Sequence, residues 1–416
     1  MIYTARDYQV EGKNRAIEHL LKKKPHPIVL QMATGAGKSI VIRDIAHEIK
    51  TEHLPNAKIL VLQPSKELVE QNYEKMMAVD GLDIEVGIYC AGLKRKEIRD
   101  ITYATIQSIY RKPELFLEFE IVIIDECHQV NPENLEGMYT KFLEQIGCRR
   151  VLGLTATPYR LRPYYYWEGD ERRQSAKMAM INRIYPFFFK SIIYRIETDE
   201  LIDQGYLAPI LYRNVEIGEM SQLRLTTTGQ DYTYESLKQY WLDDIHMMKM
   251  AQVIQKIDQY CQRSLTFCAS IEQAARAKEM LAEMGIKAEM VFGDTKPKER
   301  AQLVADYRAG KFKHMLNVGV FTTGFDVPAL DCIILARQTM SLALYYQMVG
   351  RGVRLDPERP QKKLRVYDLV RVSEKLGRVE TIKVVREEHG FRDKVISEVG
   401  NMTGVPLFEF AVNKKE

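Results

Sequence analysis

The segment that most restricts the fold is the strand-like run PIVLQ (residues 27–31), which leads into MATGAGKS (32–39) and then the helix-patterned stretch 40–50. A buried strand, a glycine turn and a helix start, in that order, converge backbone N–H groups and a helix dipole on one point, an arrangement suited to phosphate. Thr34, Gly35, Ala36 and Gly37 form the expected loop. Glycine lets the backbone approach phosphate oxygens, Lys38 supplies a point charge, and the Ser39 hydroxyl can ligate Mg²⁺. The strict phosphate-loop pattern has glycine where Met32 stands, but Gly37, Lys38 and Ser39 are all present.

Strand–turn–helix alternation recurs along the chain. Apolar runs PIVLQM, KILVLQ, IEVGIY, EIVIID and RVLGLT occupy the first half; PILYRNVEI, SLTFCAS, AEMVFG, HMLNVG, DCIILA and LRVYDLV occupy the second. Continuous β-branched runs separated by helical segments predict parallel sheets buried on both faces, hence an α/β fold in two domains. The 416 residues and 46% apolar content suit two or three domains with full cores. Turn residues near 205–209 place the joint, giving domains at 1–207 and 208–372 and an extension at 373–416. A net charge of +4 confines any polyanion-binding surface to a local patch. Six scattered cysteines without a Cys-x-x-Cys pair point to a reducing interior. With no signal peptide and no run of 18 apolar residues, the expectation is a soluble cytoplasmic protein.

Two further features carry chemistry. In EIVIIDECH (120–128) an acidic pair follows a buried strand, at the end where an α/β sheet presents its ligands. Asp125 is expected to hold Mg²⁺ and Glu126 to polarise an attacking water. His128 is expected to couple that site to the second domain. The other feature breaks the α/β rhythm. Residues 159–189 hold nine aromatics, and 159–190 hold seven Arg/Lys against three acids. That mixture suits base stacking beside phosphate contacts, or alternatively a hydrophobic cluster covering the sheet edge.

With these residues in place the chain resembles a superfamily 2 helicase of the DECH-box kind, and further motifs follow in that family's order. Residues 6–9 (RDYQ) resemble an adenine-reading motif, which implies Gln9 on the base edge and Arg6 stacked on it. Residues 63–68 (QPSKEL), 102–108 (TYATIQS), 155–158 (TATP), 266–270 (TFCAS), 319–328 (GVFTTGFDVP) and 347–354 (QMVGRGVR) match the remaining motifs. The residues at 157–161 and 201–209 resemble RadD-type bacterial repair helicases and compact phage-encoded relatives.

The resemblance implies two tandem RecA-like domains with ATP and Mg²⁺ between them. It implies Arg351 and Arg354 opposite the γ-phosphate, beside Gln347, with Gly324 and Asp326 at the nucleotide. It also implies backbone-directed contacts to nucleic acid from Ser65, Lys66, Thr102, Thr105, Thr322 and Thr323. The expected activity is ATP-driven unwinding or translocation by a monomer on single-stranded or branched DNA, in recombination, repair or replication in a bacterial or phage-infected cell. RNA unwinding, or a nucleotide-dependent clamp without unwinding, are the alternatives. Tyr165 and Trp167, at the aromatic peak of the 159–190 insert, are the candidate strand-separating residues.

Overall fold

The computed structural model describes residues 5–320, 327–386 and 393–406. The chain forms two compact units, residues 1–160 with 179–197, and residues 161–178 with 198–416. Each is built on a predominantly parallel sheet, and the architecture is two tandem RecA-like α/β domains.

In the first unit the strands are β1 (Ile28–Met32), β2 (Lys58–Gln63), β3 (Val86–Cys90), β4 (Arg95–Lys96), β5 (Ile101–Thr105), β6 (Phe119–Asp125) and β7 (Arg150–Thr155). After a hairpin of β8 (Tyr159–Glu168) and β9 (Glu171–Met180), strand β10 (Ser191–Ile196) completes the sheet. The order is β10-β1-β7-β6-β2-β5-β3-β4, and only β4 runs antiparallel to its neighbour. Every residue of β1 and of β5 is buried, as helices on both faces require. Met32, the departure from the glycine pattern, is a fully buried strand residue paired with Ile196. Helices α1 (Asp7–Leu20), α2 (Lys38–Glu48) and α3 (Lys66–Met77) flank this sheet.

The second unit has a parallel sheet of β11 (Ile210–Asn214), β12 (Ser264–Cys268), β13 (Ala288–Phe292), β14 (His314–Val318), β15 (Cys332–Ala336) and β16 (Leu364–Asp368), ordered β11-β16-β15-β12-β14-β13. A small antiparallel sheet follows, formed by β17 (Lys383–Arg386), β18 (Asp393–Ser397) and β19 (Gly400–Asn401).

The aromatic segment divides between a buried part and an exposed hairpin. Tyr159, Ile181 and Phe189 are buried, and the latter two join the core of the first unit with Phe116, Phe142 and Ile124. Residues 161–178, most of the β8–β9 hairpin, instead belong to the second unit, although the sequence pattern groups all of 159–190 with the first. Among the described residues, no helix is long and apolar enough to cross a membrane.

Candidate functional site

The loop between β1 and α2 is shaped by Gly35 and Gly37, at φ 86° and 83°, where a side chain would cost about 1–2 kcal/mol. Gly37 caps α2, and its carbonyl accepts from the Ile40 and Val41 N–H groups. The N–H groups of Lys38 and Ser39 therefore have no intrahelical acceptor and lie at the positive end of the helix dipole. From below, Ala33 N–H donates to the Ile196 carbonyl at 3.1 Å.

From the side, the Tyr8 hydroxyl and Gln9 Nε2 both donate to the Ala36 carbonyl, at 3.0 and 2.9 Å. Gln9 Oε1 accepts from Arg6 N–H at 3.0 Å, half of a capping box for α1. Gln9 is only 2% exposed, so here it braces the phosphate loop. Arg6 in turn donates from Nη1 to the Tyr8 hydroxyl.

At the end of β6, Asp125 is buried, and Glu126 sits in the left-handed region at φ 50°. A non-glycine residue held there costs about 1–2 kcal/mol, and it turns the carboxylate toward the loop. Lys38 Nζ lies 3.2 Å from Glu126 Oε1. On the other oxygen, Thr155 Oγ1 donates at 3.3 Å and His128 Nδ1 lies at 3.3 Å. Burial works against ionisation of Glu126, but Lys38 and His128 outweigh it and hold the carboxylate well below its usual range. Asp125 behaves oppositely, because burial and the neighbouring Glu126 charge push its carboxyl upward against the pull of Lys38.

The Asp125 carboxyl at the end of β6 and the Ser39 hydroxyl at the start of α2 offer oxygen donors only, the chemistry that a hard divalent cation takes. The residues therefore fit Mg²⁺.

The described partners of His128 all lie in the first unit. Nδ1 is 2.8 Å from Thr155 Oγ1 and 3.4 Å from Thr157 Oγ1, and Arg160 donates to the His128 carbonyl. The chain at 126–128 and the Thr155–Thr157 segment thus form one hydrogen-bonded block. Gly153 lets them approach, since a β-carbon there would fall 2.6 Å from Cys127 Sγ. A glycine inside the RVLGLT run was the available signal for this contact.

In the second unit, Gln347 is half-buried on the helix Leu342–Val349, which ends at Gly350. Arg351 and Arg354 follow that end, so they do not share a helix face as three-residue spacing would suggest. The Arg354 backbone is pinned, with its carbonyl accepting from Lys362 Nζ at 2.6 Å and the adjacent Val353 carbonyl accepting from Ala208 N–H at 2.7 Å. Lys362 also donates to the Pro328 carbonyl at 2.7 Å. Burial, only partly offset by Asp331 and Asp356, lowers the Lys362 ammonium to about 8. Nothing in the local sequence singles out this lysine. Thr322, Thr323, Gly324 and Asp326 lie outside the described residues.

The expected nucleic-acid residues are placed unevenly. Ser65 caps α3, its Oγ accepting from Leu68 N–H at 3.4 Å, and Lys66 begins that helix, half-buried. Two threonines depart from expectation. Thr102 is fully buried in β5, where its hydroxyl donates to the Arg99 carbonyl and accepts from the Arg99 N–H. Thr105 is also buried, its hydroxyl 2.8 Å from Ser108 Oγ. Both side chains face the interior of a doubly covered sheet and do not reach a surface ligand. Tyr165 and Trp167 are exposed, at 50% and 69%.

Comparison with known families matches residues 2–160 to the type III restriction enzyme res subunit and 248–356 to the helicase conserved C-terminal domain. The chain belongs to the superfamily 2 helicases. The chain is 24% identical over 364 residues to the putative ATP-dependent helicase IRC3 of Saccharomyces cerevisiae, covering 84% of the chain and 49% of that protein. It is 25% identical over 383 residues to the DNA 3'-5' translocase XPB2 of Sulfurisphaera tokodaii, covering 84% of the chain and 78% of the relative. The chain spans about half the length of the fungal helicases it matches. Among solved structures, a fragment of a putative HsdR subunit of a type I restriction enzyme from Vibrio vulnificus superposes with a TM-score of 0.64. It is 20% identical, covering 91% of this chain and 67% of that one.

Proposed function

We propose that this helicase hydrolyses ATP to move along DNA and open it, acting on branched or forked substrates in recombination or repair. The observation that carries the reading is the Lys38–Glu126–His128–Thr155 cluster, which sets a lysine at the start of α2 against a carboxylate that His128 and Thr155 also hold. The γ-phosphate of ATP competes with Glu126 for Lys38. Once Lys38 turns to the phosphate, the Glu126 carboxylate loses its main stabilising partner and becomes a stronger base where the attacking water sits. Ser39 and Asp125 would hold Mg²⁺, which would supply positive charge to neutralise the phosphate oxygens. Arg351 and Arg354 act as arginine fingers, beside Gln347, and Arg6 serves the base. Ser65 and Lys66 at the start of α3 contact the strand backbone, giving sequence-independent, salt-sensitive binding. Similarity to the archaeal DNA 3'-5' translocase favours DNA over RNA.

The test is ATPase activity with single-stranded DNA, duplex DNA, a four-way junction and RNA added in turn. The reading expects the largest stimulation from single-stranded or branched DNA. Greater stimulation by RNA would replace the substrate, and nucleic-acid binding without hydrolysis would favour a nucleotide-dependent clamp.

A further inference from the structure

The β8–β9 hairpin has two chemically different faces. Its base is fixed within the second unit. Ala176 and Met178 are buried, Met178 accepts from Gly404 N–H at 2.9 Å, and backbone bridges join Lys177 to Pro406 and Met178 to Thr403. Side chains on a strand alternate, so Tyr164 and Tyr166 share one face, and Tyr165 and Trp167 the other.

The first of these faces is occupied. Tyr164 and Tyr166 stack with centroids 6.2 Å apart at an interplanar angle of 10°. Lys177 Nζ lies 3.6 Å over the Tyr164 ring, and Arg173 bridges Glu168 and Glu171. The second face carries Tyr165 and Trp167 open to solvent, with the Arg172 guanidinium 4.3 Å over Tyr165. Among the described residues, no carboxylate pairs with Arg172.

We propose that this second face clasps unpaired bases of a single strand. Residues two apart on a strand are separated by about 7 Å. That is roughly twice the ~3.4 Å repeat of stacked bases, so one base fits between the Tyr165 and Trp167 rings. The Arg172 guanidinium, stacked on Tyr165, is the cation that would turn to the strand's phosphate as a base takes its place on the ring. The turn itself carries three acids, Glu168, Asp170 and Glu171, against Arg172 and Arg173, and with Arg172 drawn onto the Tyr165 ring its tip keeps a net negative charge. An acidic tip is repelled by the phosphates of a duplex, so the hairpin engages side-on and captures a strand already unpaired. The ligand, though not the geometry, rests on the helicase reading above.

The chain's two tryptophans make the test specific. Trp167 is exposed, whereas Trp241 is fully buried with its Nε1 donating to Gln338. The full-length protein is titrated without nucleotide against oligo(dT) and a blunt duplex of equal length. Intrinsic fluorescence and the anisotropy of a labelled oligonucleotide are read in parallel. Oligo(dT) is expected to quench Trp167 emission and the duplex to leave it nearly unchanged. The double variant Tyr165→Ala with Trp167→Ala should bind oligo(dT) on the order of tenfold or more weakly at unchanged melting temperature. Trp167→Phe should retain affinity and lose the quench, which separates stacking from misfolding. Oligonucleotide binding seen by anisotropy without quenching, or unchanged affinity in the double variant, overturns the clasp and leaves the helicase reading standing. Failure to bind either nucleic acid, with no DNA-stimulated ATPase, overturns both.

Discussion

Lys362 Nζ donates to the main-chain carbonyl of Arg354 at 2.6 Å from a site only 5% exposed. The same ammonium holds Pro328, so one buried side chain ties the segment following Val327 to the proposed finger. Arg354→Ala should cut turnover by roughly 10³-fold or more with little change in ATP affinity, as a transition-state interaction requires. Lys362→Met leaves Arg354 in the chain but frees its backbone. Turnover should fall on the order of 10²-fold, the scale of a catalytic group displaced by about 1 Å. Steady-state kinetics of both variants check this. Unchanged turnover in Lys362→Met would make the lysine purely structural.

Removing the two ends of the Lys38–Glu126 pair should have different consequences. Lys38→Ala should weaken ATP binding and abolish hydrolysis. Glu126→Gln should keep nucleotide binding and lose turnover, because the phosphate cradle survives the loss of the base. Equilibrium binding of a labelled ATP analogue beside single-turnover hydrolysis separates the two. Normal hydrolysis by Glu126→Gln would mean that another group activates the water.

Gly153→Ala places a methyl group 2.6 Å from Cys127 Sγ and 2.9 Å from the Phe189 ring, in a core without slack. Overpacking of this kind costs about 1–3 kcal/mol. Adding Cys127→Ala should recover part of the loss, since the clash is with that side chain. Chemical denaturation of the two single variants and the double variant measures the coupling.

His314 should make the second unit acid-sensitive. It is buried in β14, with Nδ1 2.7 Å from Ser264 Oγ and Nε2 2.9 Å from Asp258. Burial lowers its affinity for a proton, and nearby Lys313 adds to this, while Asp258 opposes the shift. The folded state thus binds the proton less readily than the unfolded chain, so stability falls as pH drops below about 6.5. His314→Asn should flatten thermal stability between pH 7 and 5, as followed by circular dichroism.

The phosphate loop and the acid pair were legible because each is a contiguous stretch whose backbone and side chains act together. Lys38 and Glu126 could be assigned chemistry before their 3.2 Å contact was known. Thr102 and Thr105 show where that method stops. A hydroxyl in a motif is informative only if strand parity turns it outward, and β5 is covered on both sides. Lys362 was invisible because its burial arises from tertiary placement and has no local signature. The aromatic segment could be recognised as unusual but not partitioned, because Phe189 and Trp167 look alike in composition and differ only in what packs on them. The small terminal sheet escaped notice because strands as short as Gly400–Asn401 carry no readable alternation.

Residues 161–178 belong by packing to a unit whose remaining sequence begins at 198, with residues 179–197 of the other unit intervening. The unit bearing Arg351 and Arg354 is therefore not one genetic cassette. A recombination event that exchanged everything after residue 197 between two relatives would import a lobe without its hairpin, leaving Gly229 without the Ser175 backbone it is shaped to receive. Inheritance should accordingly couple residues 161–178 more tightly to the distant stretch that holds them than to their immediate neighbours along the gene.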